Sequence, residues 1–561
     1  MRKYSPDRPL PWLTPIALLL CCCPLALVGA ERPRLVVVIS VDQLAQDYLV
    51  RFGDNFANDG AFRRVEREGA RFTQCHHRHA FTVTGPGHAV QLTGCYPNQH
   101  GITGNNWFDR ATGKDVYCCD DPGVEVIGVP AAKGVSPKRM LVETVGDVMK
   151  LASGNRSKVF GVAIKDRVAM LMAGHNADGA FWLEENSILW TTSTYYRGDL
   201  PGYLRVLNEP LCTERLRGHS WELLLGREKY HNNGPDKNSW ENPPKGFTSE
   251  FPHKLPGAGE MTPQQFGDLA VISPFGNDLT LEAAREVVVH EKLGQDSFCD
   301  LLCINLSSND FVGHAFGPHS LEVEDMTYRT DRQLGDFLRF LDQHVGMGNW
   351  MFALTADHGV APIVEYAQQM RLPAKRSPLG SAAEVKDTLE RLLRRELPPH
   401  AVADNAAVVQ KVEDYQVYLQ RVDLQFLAGS DEAFHRAQRI VRDWLLDQPH
   451  VAAAFTREEL LQTGEGKLFL QVQRTFHPRR SGDVLFVLAP YCVPGSRGTT
   501  HGSPWHYDTH VPLLLVGCGV KAGKFDRPVS PACIASTVAE IVGVAYPSTN
   551  VEEPLREALV Q

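Results

Sequence analysis

Six residues have the side chains that a two-metal hydrolytic site uses: Asp42, Asp310, His314, Asp357, His358 and His501. Carboxylate oxygen and neutral imidazole nitrogen are the donors Zn2+ accepts where thiolates are absent. Asp310 and His314 stand four apart, which puts both on one face of a helical turn. Asp357 and His358 are adjacent, so their side chains can diverge toward two ions, and Gly359 is expected to let the chain turn sharply after them. Taken singly, each has a plainer role, as when Asp42 caps a following helix. Among 21 histidines several are incidental. His76, His77 and His79 are read as supporting or surface groups, while His506 and His510 compete with His501 for the late ligand position.

A second element with chemical content is Thr84-Gly85-Pro86-Gly87-His88, which precedes an expected helix over Ala89 to Thr93. Pro86 suits a first helical turn. Thr84 is then placed near a helix N-terminus, where amide groups and the helix dipole favour an anion. The segment leaves two roles open for Thr84, helix N-cap or nucleophile.

The elements that must position these residues are apolar runs ending in polar ones. Leu35 to Val41 (LVVVISV) ends at Asp42, Val159 to Ile164 at Lys165, and Met351 to Thr355 runs into Asp357. Leu301 to Leu306 runs toward Asp310, and Val511 to Val516 follows His501. Nearly continuous β-branched runs suit strands buried on both faces of a parallel sheet, and open α/β sheets bind ligands outside the carboxyl ends of their strands. The expected fold is α/β, a central, mostly parallel sheet flanked by helices. Leu321 to Val345 carries a broad apolar stripe, and Ala382 to Leu397 and Asp431 to Leu446 have similar patterns. Insertions are expected at about 176–295, whose stretch 227–265 is rich in Pro, Gly, Asn and Lys, and at about 365–495.

The motifs together resemble a known family. Thr84-Gly85-Pro86-Gly87-His88, Gly94-Cys95-Tyr96-Pro97-Asn98-Gln99-His100-Gly101-Ile102 and Asn105 resemble the nucleotide pyrophosphatase/phosphodiesterase branch of the alkaline phosphatase superfamily. Asp42, Asp310 with His314, Asp357-His358-Gly359 and His501-Gly502 follow in that family's order. Lys165-Asp166-Arg167 after its strand is similar to the threonine-nucleophile, phosphate-insensitive alkaline phosphatases within it. The resemblance implies two Zn2+ per chain, with Asp310, His314 and His501 on one and Asp42, Asp357, His358 and Thr84 on the other. It implies Thr84 as nucleophile of a phosphate monoester hydrolase, with Asn105, Lys165 and Arg167 on the nonbridging oxygens. His501 is preferred over His506 and His510 because the family ligand precedes a glycine. Gly85 stands where diesterases of this branch often carry an aromatic, so their substrate preference does not carry over. A phosphodiesterase or pyrophosphatase using the same metals is the alternative. A sulfatase lacks support, since no Cys-x-Pro-x-Arg or Ser-x-Pro-x-Arg occupies the nucleophile segment. A non-catalytic metal-binding protein would require a missing nucleophile or ligand.

Bulk properties agree with an exported enzyme acting on small phosphorylated substrates. Arg2, Lys3 and Arg8 precede an apolar stretch from Leu13 to Leu27 and the small residues Val28-Gly29-Ala30, the pattern of a signal peptide over residues 1–30 and delivery to the periplasm. That stretch is short and interrupted by Pro15 and Pro24, so no stable membrane partner is expected. Leu20 before Cys21 is a poor lipidation signal for Cys21 to Cys23. The net charge of -9 over 561 residues argues against nucleic acid as a partner. Ten cysteines beyond the leader permit disulfides in an oxidising compartment, and Cys299 and Cys303 are read as buried thiols or a disulfide. The oligomeric state is left open.

Overall fold

The computed structural model describes residues 32–560, apart from 130, 210–211, 233, 258–259, 378, 399–406 and 421–431. The signal-peptide expectation, with Cys21 to Cys23, lies outside these residues. No helix among the described residues is long and apolar enough to cross a membrane.

The apolar runs form one nine-stranded sheet. Its strands are β1 (Leu35–Val41), β2 (Ala70–Phe72), β3 (Val159–Ala163), β4 (Gly179–Leu183), β5 (Trp190–Thr191), β6 (Asp300–Leu306), β7 (Trp350–Thr355), β8 (Leu513–Gly517) and β9 (Gly523–Phe525). They lie in the order β9-β2-β8-β7-β1-β6-β3-β4-β5. β1 is central and wholly buried, which is why its sequence is apolar without alternation. It pairs in parallel with β6 and β7, in a register that sets Ser40 against both Asn305 and Thr355. The chain therefore leaves β1, β6 and β7 at the same end of the sheet, so Asp42, Asp310 and Asp357 arise side by side. β3 extends the parallel set beyond β6.

The sheet is mostly but not wholly parallel, for β8 runs antiparallel to β7 and to β2. The beginning of an antiparallel strand lies at the carboxyl ends of its parallel neighbours. This is why the residues before β8, His501 among them, join a site to which the other strands contribute residues that follow them. Two strands within 176–295, β4 and β5, belong to the large sheet, so that span supplies sheet edge as well as surface structure.

The helices that matter to the site are α1 (Thr84–Thr93), α2 (Asp166–Ala173), α3 (Ser308–Phe316) and α4 (Leu321–Leu341). α4 buries Met326, Leu334, Phe337, Leu338 and Leu341 in the main core, and its N-terminus is capped by the Ser320 hydroxyl accepting from the Val323 amide. A second, antiparallel sheet of four strands (Val409–Glu413, Gln416–Leu419, Val484–Leu488 and Val451–Thr456) lies within 365–495. Helices Ala382–Glu396 and Glu432–Leu446 pack on it through Val385, Leu389, Leu393, Phe434 and Val441, a core separate from that of the large sheet.

The disulfide expectation is not met among the described residues. Cys75, Cys95, Cys118, Cys119, Cys299, Cys303, Cys492 and Cys533 are thiols, and all but Cys299 are buried. They serve as small apolar side chains; Cys303, for instance, packs inside β6 with its thiol 3.6 Å from the Met172 carbonyl.

Candidate active site

The six expected ligands converge at the carboxyl end of the parallel strands. On α3, His314 Nε2 lies 3.1 Å from Asp310 Oδ1, the one-face geometry of a four-residue spacing. His501 Nε2 approaches the same oxygen at 3.6 Å. After β7, His358 Nε2 is 3.0 Å from Asp357 Oδ2 and 3.6 Å from Asp42 Oδ1. Donor atoms of Asp310, His314 and His501 lie within 4.8 Å of one another, as do those of Asp42, Asp310 and His358.

The imidazoles are oriented from behind. Nδ1 of His314 lies 2.8 Å from the Thr499 carbonyl, Nδ1 of His501 2.8 Å from the Thr82 carbonyl, and Nδ1 of His358 3.0 Å from the Gly359 carbonyl. A carbonyl only accepts, so each Nδ1 carries a proton, and Nε2 is the nitrogen that each ring turns toward the carboxylates of the cluster.

Charge in the cluster is concentrated and dry. Burial, with repulsion from Asp357, pushes Asp42 up to about 8 against the pull of Lys165. Burial would also raise Asp357, but His358 and His88 outweigh it and hold that carboxylate far below its usual range. His358 rises to about 9, since Asp357 overcomes the opposing effect of burial. Burial and the neighbouring His358 hold His501 well below the ordinary imidazole value. Asp42 Oδ1, Asp357 Oδ2 and His358 Nε2 are buried without a hydrogen-bond partner.

Thr84 is the first residue of α1, and the residue preceding the helix is Val83, which makes no side-chain cap. The N-cap role is therefore not the one Thr84 plays. It is 2% exposed. Gly85 donates its N–H to Asn105 Oδ1 at 2.8 Å, which leaves the Asn105 amide hydrogens as donors beside Thr84. α1 comes close to the Asp357-His358 segment at Gly87, where an added Cβ would stand 2.5 Å from the Asp357 carbonyl oxygen and 2.8 Å from Asp357 Cβ. Gly87→Ala is expected to destabilise the fold by about 1–3 kcal/mol through this overpacking and to lower metal retention with it. An unchanged melting temperature and metal content would show that α1 can withdraw freely. Gly359 has a related role rather than the expected sharp turn: a Cβ there would collide with the Tyr507 carbonyl.

Lys165 sits at the centre. Its buried ammonium is 2.8 Å from Asp42 Oδ2 and 2.7 Å from Asp310 Oδ2, bridging the two ligand sets. Burial pulls its pKa down, but Asp310 and Asp42 outweigh that and raise it. Arg167 is not brought to the carboxylates. It lies on α2 beside Tyr117 and Asp166, at a second cavity of about 460 Å3 that Glu185 also lines. Burial lowers its pKa, and Tyr117 with Cys118 and Asp166 more than restores it.

His506 and His510 do not join Asp310 and His314; they group with His76. His77 is buried and holds the Ala356 carbonyl at 3.0 Å, just before Asp357. Gln43 and Asn305 are supporting residues that the sequence patterns do not mark, and they act beside His88 of the Thr84 motif. Gln43 (φ 65°) donates its backbone N–H to Asp357 Oδ1 at 3.2 Å and its amide to Asp310 Oδ1 at 2.6 Å. Asn305 donates to His88 Nε2 at 3.0 Å, while His88 Nδ1 lies 2.8 Å from the Thr84 carbonyl. With both nitrogens engaged, His88 supports α1 and Asp357 and has no lone pair for a metal. The readable signal was Asn305 itself, a polar residue inside an otherwise apolar strand.

The cluster opens on a cavity of about 510 Å3 lined by Val83, Asn105, His314 and His501 on one side and by Val412, Tyr415 and Phe486 of the second sheet on the other.

Sequence and structure comparisons place this arrangement. Residues 36–466 match the family described as Type I phosphodiesterase / nucleotide pyrophosphatase, and the chain belongs to that family, within the alkaline phosphatase superfamily. The chain is 34% identical over 550 residues to alkaline phosphatase PafA of Elizabethkingia meningoseptica, covering 95% of each chain. It is 33% identical to alkaline phosphatase PhoV of Synechococcus elongatus over 94% of this chain and 93% of that one. The crystal structure of wild-type PafA superposes with a TM-score of 0.85, covering 95% of this chain and all of that one at 32% identity. A PafA variant altered at a threonine, an asparagine, a lysine and an arginine superposes at 0.86, with 31% identity over 95% of this chain and all of that one.

Proposed function

We propose that the chain is an exported, zinc-dependent alkaline phosphatase that hydrolyses phosphate monoesters through a phospho-threonine intermediate on Thr84. The observation that carries this reading is the convergence of three buried carboxylates, Asp42, Asp310 and Asp357, with the Nε2 atoms of His314, His358 and His501 at the carboxyl end of the parallel strands. Carboxylates buried this close together are costly, and divalent cations are the chemistry that satisfies such a donor set. The residues fit two ions: Asp310, His314 and His501 would hold one, and Asp42, Asp357 and His358 the other, with Thr84 beside it. When bound, the ions supply charge for the attacking and leaving oxygens of an in-line displacement.

The chain's own groups do the rest. The Thr84 hydroxyl gives up its proton and attacks phosphorus, and the alcohol departs opposite it. Water then cleaves the phospho-threonine, releasing phosphate and restoring the hydroxyl. Asn105, fixed by Gly85, donates to a nonbridging oxygen. Lys165 provides a point charge there, and Arg167 reaches the substrate by rotating away from Tyr117 to offer its planar fork. The four residue types altered together in the PafA variant, Thr, Asn, Lys and Arg, are those of Thr84, Asn105, Lys165 and Arg167.

Charge balance favours a monoester. With ions bound, the three carboxylates ionised and the imidazoles neutral, the ligands and Lys165 would sum to minus two. Two divalent ions would bring the sum to plus two, which a monoester dianion neutralises and a diester monoanion does not.

The test is hydrolysis of an aryl phosphate and of its diester analogue, before and after chelation. The monoester is expected to be the better substrate, chelation to abolish turnover, and Zn2+ to restore it. Faster diester hydrolysis would instead assign a phosphodiesterase, and activity indifferent to chelation would remove metal from the reading. Chelation is also expected to lower the melting temperature, because it leaves Asp42, Asp310 and Asp357 buried together with Lys165 as their cation.

A further inference from the structure

Three imidazoles outside the active site meet at the edge of the large sheet. His76 follows β2, and an antiparallel bridge pairs it with His510, just before β8. His506 stands one helical turn before His510, joined to it by the His510 N–H donating to the His506 carbonyl at 3.0 Å. This places three histidines from two distant segments on one patch. The rings of His76 and His510 stack at 4.3 Å with an 11° tilt, and His506 lies 4.7 Å from His510 and 5.4 Å from His76, centroid to centroid. One nitrogen from each falls within 4.8 Å of the others.

We propose that His76, His506 and His510 form a third metal site, for a borderline divalent transition ion such as Zn2+, that fastens the segment carrying His501 to the sheet edge. Imidazole suits such ions. Around tetrahedral zinc, with bonds of about 2.0–2.1 Å, ligand nitrogens stand roughly 3.3 Å apart and each lone pair lies in its ring plane, so binding requires the His76 ring to turn out of its stack on His510. The outer hydrogen bonds are those of ligating histidines. His510 Nε2 lies 2.8 Å from the Thr73 carbonyl and must carry the proton there, leaving Nδ1 with its lone pair. His76 Nδ1 lies 3.3 Å from the Thr509 hydroxyl, leaving Nε2. Burial, with His510 and His506, lowers the His76 pKa to about 3, and burial lowers that of His510, so both are neutral ligands near pH 7. His506 is exposed, so water completes the coordination.

The ion would connect two parts of the molecule. Within the segment 501–510, Ser503 donates its N–H to Asp508 Oδ2 at 2.8 Å, folding the segment on itself. His501 ends it at the active site, and His506 and His510 end it at the patch. Metal here therefore restrains the backbone that presents His501, without touching substrate.

The inference is tested on the full chain as purified, equilibrated with micromolar Zn2+ and freed of excess by gel filtration. Zinc per chain is measured by plasma mass spectrometry for wild type, His506→Ala and His76→Ala. Each variant is expected to hold one zinc fewer than wild type. Its aryl phosphate turnover is expected within about twofold of wild type, as for a substitution away from the reacting groups. His506→Ala alters an exposed side chain, so its result stands even if His76→Ala folds poorly. Equal zinc content in wild type and His506→Ala would overturn the proposal. A variant that loses its zinc and its activity together would also overturn it, by assigning these histidines to the catalytic ions. The zinc difference between wild type and variant does not depend on which ester is hydrolysed, so it can fail or succeed independently of the phosphatase reading.

Discussion

Replacing Thr84 with alanine is expected to abolish phosphate ester hydrolysis, by roughly four to six powers of ten as for other enzymes that lose their nucleophile, while leaving zinc content near that of wild type. The expectation rests on what Thr84 does not do. It begins α1 without capping it, so its hydroxyl is not consumed by the helix. Alanine costs nothing in helix propensity at this position. The six expected ligands come from segments after β1, β6 and β7 and before β8, and none lies on α1, so this donor set is expected to survive the substitution. Turnover of an aryl phosphate and metal content on the same preparation decide the matter. Retained turnover would remove Thr84 from the mechanism. Parallel loss of zinc and activity would make Thr84 chiefly a metal ligand. Thr84→Ser, which keeps the hydroxyl, is expected to recover much of the rate.

The second large effect is expected at Lys165. In Lys165→Ala the carboxylates of Asp42 and Asp310 lose the ammonium 2.8 and 2.7 Å away, and breaking a buried ion pair costs about 3–5 kcal/mol. That loss should appear in the chelated protein as a lower melting temperature and be smaller with zinc bound, since the ions themselves compensate the carboxylates. The catalytic effect is separate. A charged hydrogen bond to substrate is worth about 1.5–3 kcal/mol, or one to two powers of ten, and it acts on the oxygen charge a monoester has and a diester lacks. Monoester kcat/KM should therefore fall by at least that much, with a smaller fall for the diester. Arg167→Ala should show the same split, with a stability loss that zinc does not offset, because Arg167 contacts Tyr117 and Asp166 and none of the six expected ligands. Equal losses on both esters would take Lys165 and Arg167 out of substrate discrimination. Stability and ester selectivity are independent readouts, so the two roles of Lys165 can be assigned separately.

Several features of this site were legible one residue at a time. The apolar run Leu35 to Val41 is β1 to the residue, because a strand buried on both faces needs no alternation and ends where the first charge appears. Asp310 and His314 share a face of α3 because a helical turn sets that geometry locally. The supporting network was less legible. Gln43 reaches Asp310 and Asp357 through a positive backbone φ, and adjacency to Asp42 alone does not reveal that. The role of Gly359 depends on a carbonyl of Tyr507, far away in the chain.

What the sequence by itself determined is the chemistry available and the strand ends on which it sits: the carboxylates and imidazoles, a threonine before a helix, and buried runs that stop at charges. These follow from burial and periodicity, which act over a few residues. The tertiary structure alone decided which groups meet. Thr84 is a helix's first residue rather than its cap, His501 enters the site because β8 runs antiparallel, and His506 and His510 leave it for His76. Cys75, Cys95, Cys299, Cys303, Cys492 and Cys533 are thiols. Each of these depends on strand order and direction, which bring together segments hundreds of residues apart in the chain, and no local pattern of side chains encodes that pairing.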